Sequence, residues 1–206
     1  INSGNLKETL TNEVARFRNL SWSIDSQSLA VSSNKGIEIW NVNNGHQVKS
    51  FDSLTGALNV LDWSPTGDLI AIGTDKKSVQ LLDMQNGNLL YTLECYGNAQ
   101  SLDFSPNGKI IAAGLDSDRV EIWGIDGSLS TTLEGAGSVG NIYVDFAQDS
   151  SFLVSNISTR NVGGDIYAVE SLQTWHTKEW KPIQSWKIGD LFLILDLDLA
   201  PDGKKL

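Results

Sequence analysis

The sequence predicts an all-β chain, a β-propeller of four-stranded antiparallel blades, on the strength of three observations. The phrase Asp62-Trp63-Ser64-Pro65-Thr66-Gly67 returns as Asp103-Phe104-Ser105-Pro106-Asn107-Gly108, with shorter echoes at Ser21-Trp22-Ser23 and Leu199-Ala200-Pro201-Asp202-Gly203. The aromatic anchors Trp22, Trp63, Phe104 and Phe146 are spaced by 41, 41 and 42 residues, and the next step, to Leu199, lengthens to 53. A period near forty is that of a propeller blade. A second series keeps the same phase: Ile37-Glu38-Ile39-Trp40, Val79-Gln80-Leu81-Leu82, Val120-Glu121-Ile122-Trp123 and Leu172-Gln173-Thr174-Trp175.

Each repeat divides into four strands by alternation and by its Gly, Pro and Asn/Asp breaks. In the first repeat the strands fall at 16–22, 28–33, 36–41 and 47–51; in the second at 58–63, 69–74, 78–83 and 89–93; in the third at 99–104, 110–114, 119–124 and 129–133. The Ser-Pro-Asn/Thr-Gly phrase separates the first strand from the second. Asp126-Gly127 separates the third from the fourth in its blade. The fourth repeat carries an insertion of about eleven residues between Phe152-Leu153-Val154 and the strand ending at Trp175, polar and glycine-bearing, as an extended loop or protruding hairpin would be. The expected blades are 14–51, 57–93, 98–133 and 141–187 with the insertion at 156–166, preceded by the end of a blade at 1–10 and followed by the start of another at 194–206. A chain that opens and closes inside blades is expected to be a segment of a larger ring.

With its aromatic-Ser-Pro-Asn-Gly turns and its third strands ending in Trp40, Trp123 and Trp175, the chain resembles the WD40-repeat family over nearly its whole length. The resemblance has defined gaps. No repeat keeps a literal Trp-Asp: Asn41, Gly124 and His176 follow the tryptophans, Leu82 replaces one of them, and the Gly-His dipeptide is missing, Gly135-Ala136 being its nearest trace. With these gaps in the pattern that carries the family's buried His-Asp network, the blades are expected to rely more on apolar packing. Functionally, the resemblance implies a non-enzymatic scaffold or sensing module that binds protein partners on its loops. The alternative is a propeller that gates an enzyme or nucleotide-binding domain outside this segment.

Composition narrows the classes further. The formal net charge of −10, with Lys and Arg in no stripe, opposes direct binding to nucleic acid. No apolar run approaches a membrane span, so no membrane partner is expected. Cys95 is the single cysteine, which excludes an internal disulfide and suits an intracellular, cytoplasmic scaffold; its thiol is expected at a loop edge. His46 and His176 occupy corresponding turns of different blades, and no nucleophile elbow, P-loop or Cys-x-x-Cys occurs, so neither a catalytic nor a cofactor or metal site is expected. The segment 135–140 is glycine-bearing but precedes a strand rather than a helix, and reads as a connection between blades.

The residues singled out for partner binding are Lys76, Lys77, Tyr96, Arg119 and Arg160 on the loops and Trp180 at the rim, because exposed aromatic and arginine side chains carry much of the energy of interfaces. Trp22, Trp40, Trp63, Trp123 and Trp175 sit at repeat-core positions and are expected to pack between blades, whereas Trp180 and Trp186 lie outside that pattern. An acid precedes each later anchor: Asp62, Asp103, Asp145 and Asp198. Alternation turns these carboxylates to the face opposite the anchors, and with strands oriented as the resemblance implies they would stand near the channel, either to accept backbone amides or to form an acidic ring for a cation or a partner. Unpaired strand edges at the two ends of the array are expected to favour self-association.

Overall fold

The computed structural model of the chain describes residues 17–34, 36–52, 54, 56–134, 141–160, 168–189 and 199. The part-blades expected at 1–10 and 194–206 lie outside the described residues except for Leu199, as do Asp198, the segment 135–140 and the tip of the insertion at 161–167. Among the described residues sixteen strands form four antiparallel sheets. The first holds β1 (Phe17–Trp22), β2 (Ser28–Ser33), β3 (Gly36–Asn41) and β4 (Gln47–Phe51); the second β5 (Leu58–Trp63), β6 (Leu69–Thr74), β7 (Ser78–Asp83) and β8 (Leu89–Glu94). The third holds β9 (Ala99–Phe104), β10 (Ile110–Leu115), β11 (Arg119–Gly124) and β12 (Leu129–Glu134); the fourth β13 (Val144–Phe146), β14 (Phe152–Arg160), β15 (Ala168–His176) and β16 (Lys181–Gly189). Strand order follows chain order in every sheet, the up-and-down meander of a propeller blade.

One turn recurs between the first and second strands, and it explains the repeated phrase. The amides of Ser26, Gly67, Gly108 and Ser150 donate to the carbonyls of Ser23, Ser64, Ser105 and Ala147 at 2.7–2.9 Å. The donor residue is left-handed each time, with φ of 56°, 80°, 67° and 57°, so glycine is the least strained choice and serine stands there under some strain. Ser105 then clamps the strand start, its Oγ accepting from Ile110 N at 3.2 Å and donating to Ile110 O at 3.1 Å.

Alternation gives each blade two apolar faces, and the core lies in the seams between blades rather than within any one. The leading face of the second blade (Leu61, Trp63, Ile70, Ile72, Leu82) packs on the trailing face of the first (Ala30, Ile37, Ile39, Phe51). Leu102, Phe104, Ile111, Ala113 and Trp123 pack in the same way on Ala71, Val79, Leu81 and Leu93. Val144, Phe146, Leu153 and Trp175 pack on Ala112, Val120, Ile122 and Leu133. Leu199 continues the series against Ala147, Val154 and Leu172. Gly114 sits in the third seam, where an added Cβ would lie 2.2 Å from the Ile142 carbonyl oxygen. Gly114→Ala is therefore expected to cost about 2 kcal/mol or more through overpacking against backbone, read as a lower urea midpoint at unchanged slope.

The seam pattern corrects two expectations, for the tryptophans and for Cys95. Trp40, Trp123 and Trp175 are buried, but Trp63 is only half-buried and Trp22 is 54% exposed. The anchor of each later blade is covered by the blade before it, and among the described residues no blade precedes β1. Cys95, expected at a loop edge, does follow the end of β8 but is buried in the second seam. The insertion of the fourth repeat lengthens its strands into a hairpin, with β14 and β15 paired in unbroken register from Phe152↔His176 to Arg160↔Ala168.

Candidate functional site

The connections between second and third strands and those between blades share one end of the array, because the strands alternate in direction. Lys76, Lys77, Tyr96 and Arg119 all lie at that end of the second and third blades, and Tyr96 and Arg119 are in contact. Lys77, left-handed at φ 53° in the β6–β7 turn, accepts from Cys95 N at 2.8 Å through its carbonyl and donates its own amide to Asn98 Oδ1 at 3.2 Å. This fastens the turn to the linker that carries Tyr96. Asn98 is held in turn by Asp116, whose carboxylate accepts from Asn98 N and Nδ2, both at 2.9 Å. Tyr96 is 60% exposed, and the Arg119 guanidinium lies 3.8 Å from its ring centroid, a cation–π contact. Arg119, paired across the sheet with Glu134 at the start of β11, also reaches the Glu134 carboxylate at 3.5 Å. Lys76 and Lys77 are exposed and make no ion pair among the described residues.

The other two candidates are placed differently. The backbone of Arg160 closes the lengthened hairpin at this same end of the fourth blade. Trp180 is in the β15–β16 turn, at the opposite end, left-handed at φ 52°, with its amide donating to His176 O at 2.7 Å. Its ring is partly buried against the third seam near Ile110, so it is not part of the loop surface.

A residue not singled out from the sequence holds Tyr96 in place. Glu121 is 4% exposed; its Oε1 accepts from Tyr96 N at 3.0 Å and its Oε2 from the Trp123 indole at 3.2 Å. Glu38 repeats the second contact with Trp40 at 3.2 Å, and Trp175 instead donates to Ser155 Oγ at 2.8 Å. Polar pairs thus stand beside the apolar seams, at the third strands where the family pattern is incomplete. The signal was the Glu-x-Trp spacing at Glu38-Ile39-Trp40 and Glu121-Ile122-Trp123, which puts acid and indole on one strand face. Beside Glu121, burial and the nearby carboxylate push the Cys95 thiol up, so it stays protonated.

The innermost strands line an axial cavity of about 500 Å³. Asp62 Oδ2 accepts from Phe104 N at 2.9 Å, Asp103 Oδ2 from Phe146 N at 2.5 Å and Asp145 Oδ2 from Leu199 N at 2.5 Å, so each carboxylate reaches the anchor amide of the following blade. Asp62 Oδ1 also accepts from Ser21 Oγ at 3.1 Å and Trp63 N at 2.9 Å. Burial pushes the Asp62 carboxyl up to about 6 against these hydrogen bonds. Burial, and then the charge of Asp62, put Asp103 well above the usual carboxylate range, with Asp145 in hydrogen-bond contact. The row acts as a set of clamps between blades. Among the described residues no group of three or more His, Cys, Asp or Glu could hold a metal ion, and His46 and His176 are exposed.

Residues 61–133 match the family profile described as the anaphase-promoting complex subunit 4 WD40 domain. The match runs from the innermost strand of the second blade to the outermost strand of the third, and so contains Lys76, Lys77, Tyr96, Arg119 and the second seam. No curated protein matches the chain. Among the described residues no helix is long and apolar enough to cross a membrane.

Proposed function

We propose that this chain, a member of the WD40-repeat family, is a non-catalytic docking module that receives a protein partner on the loop end of its second and third blades. Proteins of this family serve in general as protein-interaction propellers, and the proposal locates the contact. What carries it is Tyr96: a residue 60% exposed whose backbone amide is held by the buried Glu121 and whose ring is stacked on the Arg119 guanidinium. A large side chain restrained while free loses less entropy on binding, which is what makes aromatic and arginine residues effective anchors. The unpaired Cys95 supports an intracellular setting.

A photo-crosslinking amino acid placed at position 96 and, separately, at Asp126 in a turn of the opposite end tests the reading in extracts of the source cells. A discrete protein adduct is expected at position 96 and not at 126. Adducts from 126 alone, or from neither site, would remove the loop end from consideration.

A further inference from the structure

We infer that Glu134 holds on Arg119 the place of a carboxylate from the partner, and that the segment received at this end is acidic. The inference rests on the docking reading above and adds the chemistry of the ligand. The Arg119–Glu134 pair is poor as a structural ion pair. Its shortest contact is 3.5 Å, beyond the range of a charge-assisted hydrogen bond, and the Glu134 side chain is 72% exposed. Exposed pairs of this kind contribute little and are easily exchanged. Arg119 is the opposite. Its side chain is only 31% exposed and its guanidinium is laid on the Tyr96 ring, so the fork is preorganised while its present acceptor is loose.

Two further cations lie at the same end of the second blade. Lys77, tied through its backbone to the Cys95–Asn98 linker, and Lys76 beside it present ammonium groups without an ion-pair partner among the described residues. Some acids of this end are engaged, Asp75 Oδ1 accepting from Ala57 N at 2.9 Å and both Asp116 oxygens accepting from Asn98, while Asp118 is buried in the β10–β11 turn and Glu94 lies exposed at the end of β8. An incoming carboxylate can thus take Arg119 bidentately while its neighbours meet the two lysines, and Glu134 swings into solvent. In a chain of net charge −10, this would be a local contact rather than long-range attraction, so it needs the specific fork and not the overall field.

The test is a calorimetric titration of the purified chain with a short Asp/Glu-rich peptide and with its Asn/Gln counterpart at low and physiological salt. Saturable binding of the acidic peptide alone is expected, weakening as salt rises. Arg119→Ala should weaken it roughly tenfold, as expected for loss of a charge-assisted pair. Glu134→Gln should tighten it by about threefold, since an exposed competitor of modest strength is removed. The exposed Glu134 change leaves the seams untouched, so its sign can be read even if Arg119→Ala folds poorly. No binding, or binding indifferent to Glu134→Gln, overturns the inference. If crosslinking at position 96 still succeeds in that case, docking stands and only the acidic chemistry falls.

Discussion

Truncation of Trp123 to alanine is expected to cost about 3 to 5 kcal/mol of unfolding free energy. The indole is 7% exposed in the second seam, among Leu81, Leu93, Phe104 and Ile111. Its removal opens a cavity there and also strips the buried Glu121 Oε2 of its indole donor, leaving a carboxylate oxygen less well satisfied than in the intact chain. Trp22→Ala is the control. That ring is 54% exposed and its loss should stay within about 0.5 kcal/mol, as surface changes do. Urea unfolding of both variants measures the contrast, with the midpoint dropping for Trp123→Ala at unchanged slope. Similar losses at the two positions would show that the faces of the first blade and of the seam are equivalent, and the account of the core would fail.

Stability should fall as pH rises through the range in which Asp62 ionises. Burial outweighs its three hydrogen bonds and pushes its folded carboxyl up to about 6 from the usual 3.8. A group raised in the folded state favours folding fully below the unfolded value and loses that contribution as pH climbs through the folded one. The difference between the two values corresponds to on the order of 3 kcal/mol, lost between about pH 4 and 7. Asp103, also raised, adds a slope of the same sign. The exposed Asp25, Asp126 and Asp149 are lowered by hydrogen bonds to their turns and act in the opposite sense, but only below about pH 4. Unfolding free energies of the parent and of Asp62→Asn, measured from pH 4 to 8, should show the decline in the parent and a flatter line in the variant. A parent whose stability is level or rising across that interval would contradict the picture of buried carboxylates between blades.

The strands were legible because two local signals coincide: a tight turn with a left-handed residue after the first strand, marked by Ser-Pro in the second and third repeats, and alternation with an apolar residue on both faces. Strand limits for the first three blades accordingly differ from the sequence reading by a residue at most, as at Phe17, Leu115 and the ends of β8 and β12. Burial was less legible, because it depends on what stands next to a face. Trp22 and Trp123 both sit at anchor-like positions, yet among the described residues only the second has a blade against it. The loop surface was legible residue by residue, through Tyr96 and Arg119, but not as a constellation. Their contact depends on the register Arg119↔Glu134 and on the Glu121 to Tyr96 bond between residues 25 apart, neither of which a period reveals. Trp180 looked like a rim anchor because its segment is polar and lysine-bearing; its position in a β15–β16 turn folds it back on the third seam instead.

The carboxylate clamps all run the same way, from an innermost strand to the amide of the next blade, and the apolar faces meet in the same sense. The coupling in this array is therefore nearest-neighbour and vectorial, as in a one-dimensional chain of interacting units whose intrinsic terms are small beside their interface terms. A single blade, with much of its burial contributed by a neighbour, is not the cooperative unit; the smallest one is a pair that shares a seam. Damage to one seam should then spread as a loss of cooperativity to both blades it joins, while blades two steps away keep their own partners.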